Sequence, residues 1–157
     1  MTSKKIRHII CAVRGVPKSR DTVTKAIDLA LEHNARLTFA HVSDAEFLST
    51  TRPSMISLRS VYKQLHDLGE FTMSILKDRA ERSGVSQADY IVREGKLLKQ
   101  LRLILAETCP DVLVIGKPVT KGPVRPSVKT TEFEQFVTDV ETQLNIQVVI
   151  VEIDVID

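Results

Sequence analysis

The sequence predicts a doubly wound α/β domain, a five-stranded parallel sheet with helices on both faces. Short, nearly continuous β-branched runs such as "IIC" and "VLVI" alternate with longer segments whose apolar residues recur every three or four positions. That alternation holds from end to end, with no repeat or low-complexity tract, and such a pattern closes into a parallel sheet through right-handed crossovers. The length of 157 residues provides one domain with a sizeable core and is too short for two. We expect a single domain over 4–153 and a tail over 154–157.

Each element follows from local pattern. "IRHIICAV" (6–13) reads as a strand covered on both faces. After "RGVPKSRD", Val23, Ala26, Ile27, Ala30 and Leu31 fall at helical spacing, with Ser19 as the cap. "ARLTFAHV" (35–42) returns to a strand. A polar link, "SDAEFLSTTRPS", leads into a long helical stripe of Leu58, Val61, Tyr62, Leu65, Leu68, Ile75, Leu76 and Ala80. Gly69 interrupts that stripe at a cost of about 1 kcal/mol relative to Ala, inviting a bend. Gly84 stands where a left-handed helix stop belongs. "ADYIV" is the third strand, "KLLKQLRLILAET" the third helix and "DVLVIG" the fourth strand. Thr131 and Glu134 are spaced as a capping box for a helix carrying Phe133, Phe136, Val137, Val140 and Leu144. "IQVVIVEIDVI" is the fifth strand.

Composition excludes several classes of function. A formal charge of +2, with 43% apolar and 27% charged residues, describes a globular chain rather than a polyanion binder. Aromatic residues at 4%, with no interleaving of basic and aromatic positions, leave little for stacking on nucleic acid. The two cysteines, Cys11 and Cys109, fit a reduced cytoplasmic setting, fall toward opposite ends of their strands, and read as small buried hydrophobes. The apolar run in "MTSKKIRHIICAVRG" is too short for a secretion signal, and no segment has the length to cross a bilayer. His8, His33, His41 and His66 are scattered without a metal-ligand set. His41, at the end of its strand, is expected to hydrogen-bond to backbone.

In sheets of this class, ligands sit beyond the carboxyl ends of the strands. Three loops reach that edge: Arg14 to Ser19, Ser43 with Asp44, and Gly116 to Thr130. The third carries Lys117, Lys121, Arg125 and Lys129 with no acid, leaving −2 for the rest of the chain. No Gly-x-x-x-x-Gly-Lys-Ser/Thr is present, and "RGVPKSR" lacks dinucleotide glycine spacing even though Asp44 follows the second strand. Ser127, Thr130 and Thr131 could meet a phosphate, the capping role sufficing for Thr131.

"AHV" closing the second strand, "VREGKLLKQLRLIL", and "CPDVLVIGK" together resemble the universal stress protein family, from Ile6 to Val151. The resemblance implies a Rossmann-like fold and, in the ATP-binding members, a loop after the fourth strand reading Gly, two residues, Gly, nine residues, Gly, then Ser or Thr. Laid from Gly116, that pattern meets Val119 and Lys129 in place of the second and third glycines, and Thr130 as the hydroxyl. The family's Asp at the end of the first strand is replaced by Arg14. Val119 is strained at positive φ, and Pro118, Pro123 and Pro126 each remove an N–H donor.

The resemblance therefore implies a degenerate nucleotide site at Arg14, Val42, Gly116, Lys117, Val119, Lys129, Thr130 and Thr131. We expect a non-catalytic binding or regulatory module with no cofactor. One alternative is an ATP- or AMP-binding protein, weakly hydrolysing, whose basic side chains contact phosphate. Another is a scaffold that holds a protein partner through the 117–129 loop. The family commonly pairs its last strand with a second copy, which implies a homodimer through Val149, Val151, Ile153 and Val155.

Overall fold

The computed structural model describes residues 5–13, 20–43, 55–117 and 130–152, with side chains in the third stretch from Arg59 onward. The elements are β1 (His8–Ala12), α1 (Arg20–His33), β2 (Arg36–Ser43), α2 (Met55–Ser83), β3 (Ala88–Glu94), α3 (Leu97–Thr108), β4 (Val112–Gly116), α4 (Thr130–Gln143) and β5 (Gln147–Val151). All strand pairs are parallel and run in the order β3-β2-β1-β4-β5, with β5 at an edge. The expected five-stranded, doubly wound sheet is the observed one.

Two cores flank it, as the strand period requires. Ile9, Cys11, Leu37, Phe39, Val112 and Val114 point to the α1/α2 face. Ile10, Ala40, Val42, Leu113 and Ile115 point to the opposite face, against Leu101, Ile104, Leu105, Phe133, Phe136 and Val140 of α3 and α4. Strands buried on both sides read as continuous apolar runs, which is why "IIC" and "VLVI" were informative.

The far edge of the sheet, at the amino ends of the strands, is tied by specific hydrogen bonds. Asp111 accepts from the backbone N–H of Arg7 at 2.9 Å and of His8 at 3.1 Å. Its own N–H donates to His8 O at 2.9 Å, locking the starts of β1 and β4 together. Each helix stops on a left-handed residue: Asn34, Gly84, Cys109 and Asn145. After three of them the chain re-enters the core at once. Ala35, Val85 and Ile146 are buried and return their N–H groups to the last helical turns. Gly84 was the stop visible in the sequence. Asn and Cys do the same work at φ values of 51°, 46° and 55°.

Four expectations need correction. The stripe on α2 holds only in part: Ala80 is buried and Leu76 packs on the core as expected, and Gly69 and Met73 are the other buried positions among the described side chains, whereas Leu68 is 61% and Ile75 51% exposed. The helix turns its smallest residue, not its largest, toward the sheet, and it runs unbroken through Gly69. Cys109 is exposed rather than buried, because its left-handed backbone at the end of α3 turns the side chain outward. Thr131 is not a cap, since α4 already begins at Thr130. The fifth strand ends at Val151 with Glu152 outside it, and residues 153–157 lie outside the described residues.

Candidate functional site

The winding reverses between β1 and β4, so the crevice available to a ligand lies at the carboxyl ends of these two strands. Val13, Val42 and Gly116 reach that edge from three neighbouring strands. Val13 and Val42 are buried, so neither side chain is open to the crevice.

His41 organises this end of the sheet. Its Nδ1 donates to Val13 O at 2.9 Å, while Val13 N donates to Ala40 O at 2.9 Å, so the end of β1 is held by β2 on both sides of the peptide unit. With Nδ1 acting as the donor, Nε2 is the lone-pair nitrogen, and it accepts from Ser43 Oγ at 3.4 Å. The expected backbone-bonded histidine is therefore present, and its bond goes to the last described residue before the first loop.

The ring fits because α2 presents Gly69 to it. A Cβ built on Gly69 would stand 2.9 Å from His41 Cδ2 and 3.3 Å from Val92 Cγ1. Sequence reasoning recorded Gly69 as a helix weakness and missed this contact. A glycine in mid-helix without a break after it was the available signal.

Beyond β4, the Lys117 N–H donates to Val151 O at 2.9 Å, and this amide is committed to the sheet ladder. The Lys117 side chain is exposed. Across the gap, α4 opens with exposed Thr130 and Thr131, and its first-turn N–H groups have no intrahelical partner by construction. Glu132 sits in that same turn, where the helix dipole favours a carboxylate. Of the sequence-derived candidates, Val42, Gly116, Lys117, Thr130 and Thr131 are thus at the carboxyl edge or the start of α4. Arg14, Val119 and Lys129 lie outside the described residues, as do Ser19, Asp44, Lys121, Arg125 and Ser127.

Nothing in the described residues suggests a reactive set. Cys11 is fully buried, and loss of hydration pushes its thiol far above the ordinary range, so it is inert packing. Among the described residues no group of His, Cys, Asp and Glu could hold a metal ion. No described helix is long and apolar enough to cross a membrane.

Comparison with protein families matches the universal stress protein family over residues 5–128. The chain belongs to that family. No curated protein matches the sequence. Among solved structures, universal stress protein UspA from Lactobacillus plantarum is 18% identical with a TM-score of 0.69, over 95% of this chain and 99% of that one. A universal stress protein in complex with cAMP is 17% identical with a TM-score of 0.64, over 94% of this chain and 98% of that one. A family protein from Arabidopsis thaliana with AMP bound is 12% identical with a TM-score of 0.58, over 95% and 93%. At these identities the likeness establishes the fold, and the family match establishes the membership.

Proposed function

We propose that this universal stress protein is a non-catalytic, homodimeric binding module whose nucleotide site has lost its backbone phosphate cradle. The observation that carries this is the loop after β4, where Val119 and Lys129 stand at two glycine positions of the ATP-binding pattern among three prolines. Glycine allows positive φ and close approach of N–H groups to phosphate oxygens, and neither substitute does so cheaply. The commitment of the Lys117 amide to Val151 points the same way.

A second reading has one observation in its favour. Lys117, Lys121, Arg125 and Lys129 put four cations into the stretch of sequence that follows β4, and relatives are described with cAMP and AMP. Side chains would then do what amides no longer can. Thermal denaturation with ATP, ADP, AMP and cAMP separates the two. A ligand at about 100 times its Kd adds about 2.7 kcal/mol to stability. The proposal expects no shift at millimolar nucleotide. A clear rise in Tm, lost in Arg14→Ala, would establish the second reading instead.

The dimer is proposed through the free edge of β5. Gln147 N–H and Val151 C=O turn inward, toward Asp111 and Lys117. By strand alternation Val148 and Ile150 turn their backbone groups outward. Ile150 is 42% exposed, while Val149 and Val151 pack against the α1/α2 core and hold the strand in place. Ile150→Pro removes an outward N–H without touching the ladder to β4. The expected product is a folded monomer by sedimentation. A dimer of unchanged strength would remove β5 from the interface.

A further inference from the structure

We propose that the outer edge of β3 is a self-association surface, on which a second copy of this chain adds its own β3, antiparallel and centred on Ile91. β3 is the end strand opposite β5 and pairs with β2 alone. Gln87 C=O and Gly95 N–H turn inward, to Leu37 and Ser43. By alternation Ala88, Tyr90, Val92 and Glu94 turn their backbone groups outward, where they have no partner among the described residues. The surface is apart from both the crevice and β5, so it rests on neither the nucleotide reading nor the β5 dimer.

The strand itself selects the occupant. Its 7 residues are symmetric about Ile91. When two copies pair there, Tyr90 stands opposite Val92 of the second copy and Ala88 opposite Glu94, all in hydrogen-bonded positions. Asp89 stands opposite Arg93 in a non-hydrogen-bonded position, where side chains come closest, and the two-fold makes this pair twice. Pairing centred on Asp89 or Arg93 would set like charges face to face. Pairing centred on Tyr90 or Val92 would set a charge against Ile91. The same charges that repel other strands from an open edge therefore admit this one in one register. Asp89 and Arg93 already meet Arg36 and Glu107, yet their side chains remain 50% and 32% exposed and within reach of a second copy.

The flanking helices leave room. A Cβ on Gly69 would lie against His41 of β2 and Val92 of β3 alike, so α2 lies over the line between those strands. With strands about 4.8 Å apart, the two α2 axes in the joined sheet stand about 10 Å apart, the distance at which helices pack. On the flank of α2 that borders the edge, His66 reaches Glu94 at 3.7 Å, and Glu70, Lys77 and Glu81 follow at helical spacing. Both signs of charge thus meet across the junction. On the other face α3 packs chiefly on β2 and stands back from the edge. Exposed pairs contribute little each, so the association is weak, with a Kd of about 0.1–1 mM. Where β5 pairs as well, the two alternating two-folds link copies into open chains.

The test compares Ile150→Pro protein, which lacks the β5 contact, at about 20 µM and about 1 mM by sedimentation. It should be mostly monomeric at the lower concentration and at least about half dimeric at the higher. Exchange of the Tyr90 and Val92 amides should slow by about twofold to fivefold over the same range. Asp89→Arg and Arg93→Asp, each added to that chain, set like charges opposite one another and should stay monomeric at the higher concentration with the melting profile kept. Mixed in equal amounts, the two variants make both opposite-charge pairs again and should dimerise. In Cys109→Ser protein with β5 intact, Ile91→Cys stands opposite itself with Cα atoms about 4.5 Å apart, within disulfide range, and should cross-link on mild oxidation. Glu94→Cys, opposite Ala88, should not. The proposal is overturned by an Ile150→Pro monomer at the higher concentration, by a mixture that stays monomeric, or by failure of Ile91→Cys to cross-link. Tyr90 and Val92 amides protected equally at both concentrations would also overturn it, since another segment of the same chain would then cover the edge.

Discussion

Replacing Gly69 by alanine sets two opposing effects against each other. In an exposed helix interior the change would stabilise by about 1 kcal/mol, because alanine restricts the unfolded chain and favours helix. Here the new methyl would stand 2.9 Å from His41 Cδ2 and 3.3 Å from Val92 Cγ1. Carbon atoms in favourable contact stay about 3.5–4.0 Å apart, so the ring must retreat by roughly half an ångström or α2 must lift. His41 is not free to retreat, since its Nδ1 is held by Val13 O at 2.9 Å. Overpacking costs about 1–3 kcal/mol and a strained hydrogen bond about another 1 kcal/mol. Against the helix gain, the net is a loss of about 1–3 kcal/mol. With a urea slope of about 2 kcal/mol/M, the midpoint should fall by about 0.5–1.5 M, at unchanged slope. In a His41→Ala background only the approach to Val92 Cγ1 at 3.3 Å remains, and the loss should shrink to near zero or turn into a gain of up to about 1 kcal/mol. A Gly69→Ala protein more stable than wild type, or one whose loss is the same with and without His41, would refute the packing argument.

Further outcomes follow from the same structure. Asp111→Ala leaves the N–H groups of Arg7 and His8 without their shared acceptor and should cost about 1–3 kcal/mol by denaturation. His8 is held below the ordinary histidine range, first by loss of hydration and then by the Arg36 charge. The neutral ring is thus favoured in the folded state. As pH falls below about 6.5 the unfolded chain takes up the proton first and stability declines. His8→Gln should flatten that decline between about pH 7 and pH 5, and an unchanged slope would assign it to other groups. Ile104→Ala, at a fully buried position of the α3/α4 core, should cost about 2–5 kcal/mol.

The fold was legible in the sequence because doubly covered strands leave an unmistakable signature. "VLVI" cannot alternate when both faces are buried, and its contrast with the helical period of "KLLKQLRLIL" sets the order of elements. What sequence reading misplaced depended on approach distances between elements. The face of α2 was misjudged because large apolar residues were assigned inward, whereas the histidine ring beneath leaves room only for Gly69. Leu68, Phe71 and Ile75 are consequently outside. Cys109 was misjudged because its composition suggests burial, while its position at a helix stop dictates the backbone and hence exposure. At the site, the edge and its flanking residues were legible from topology alone. The role of His41 was half legible: a bond to backbone was expected, but its partner in another strand, Val13, needed the parallel register of β1 and β2.

The proposed loss of the phosphate cradle turns on main-chain amides that glycine would free. The most direct measurement is ATP affinity by calorimetry in wild type and in Val119→Gly/Lys129→Gly, which restores the two missing glycines of the pattern. The account predicts negligible heat for the wild-type chain and a gain of at least about tenfold in affinity, about 1.4 kcal/mol, for the double variant. Wild-type protein that already binds ATP as tightly as the restored loop would contradict it.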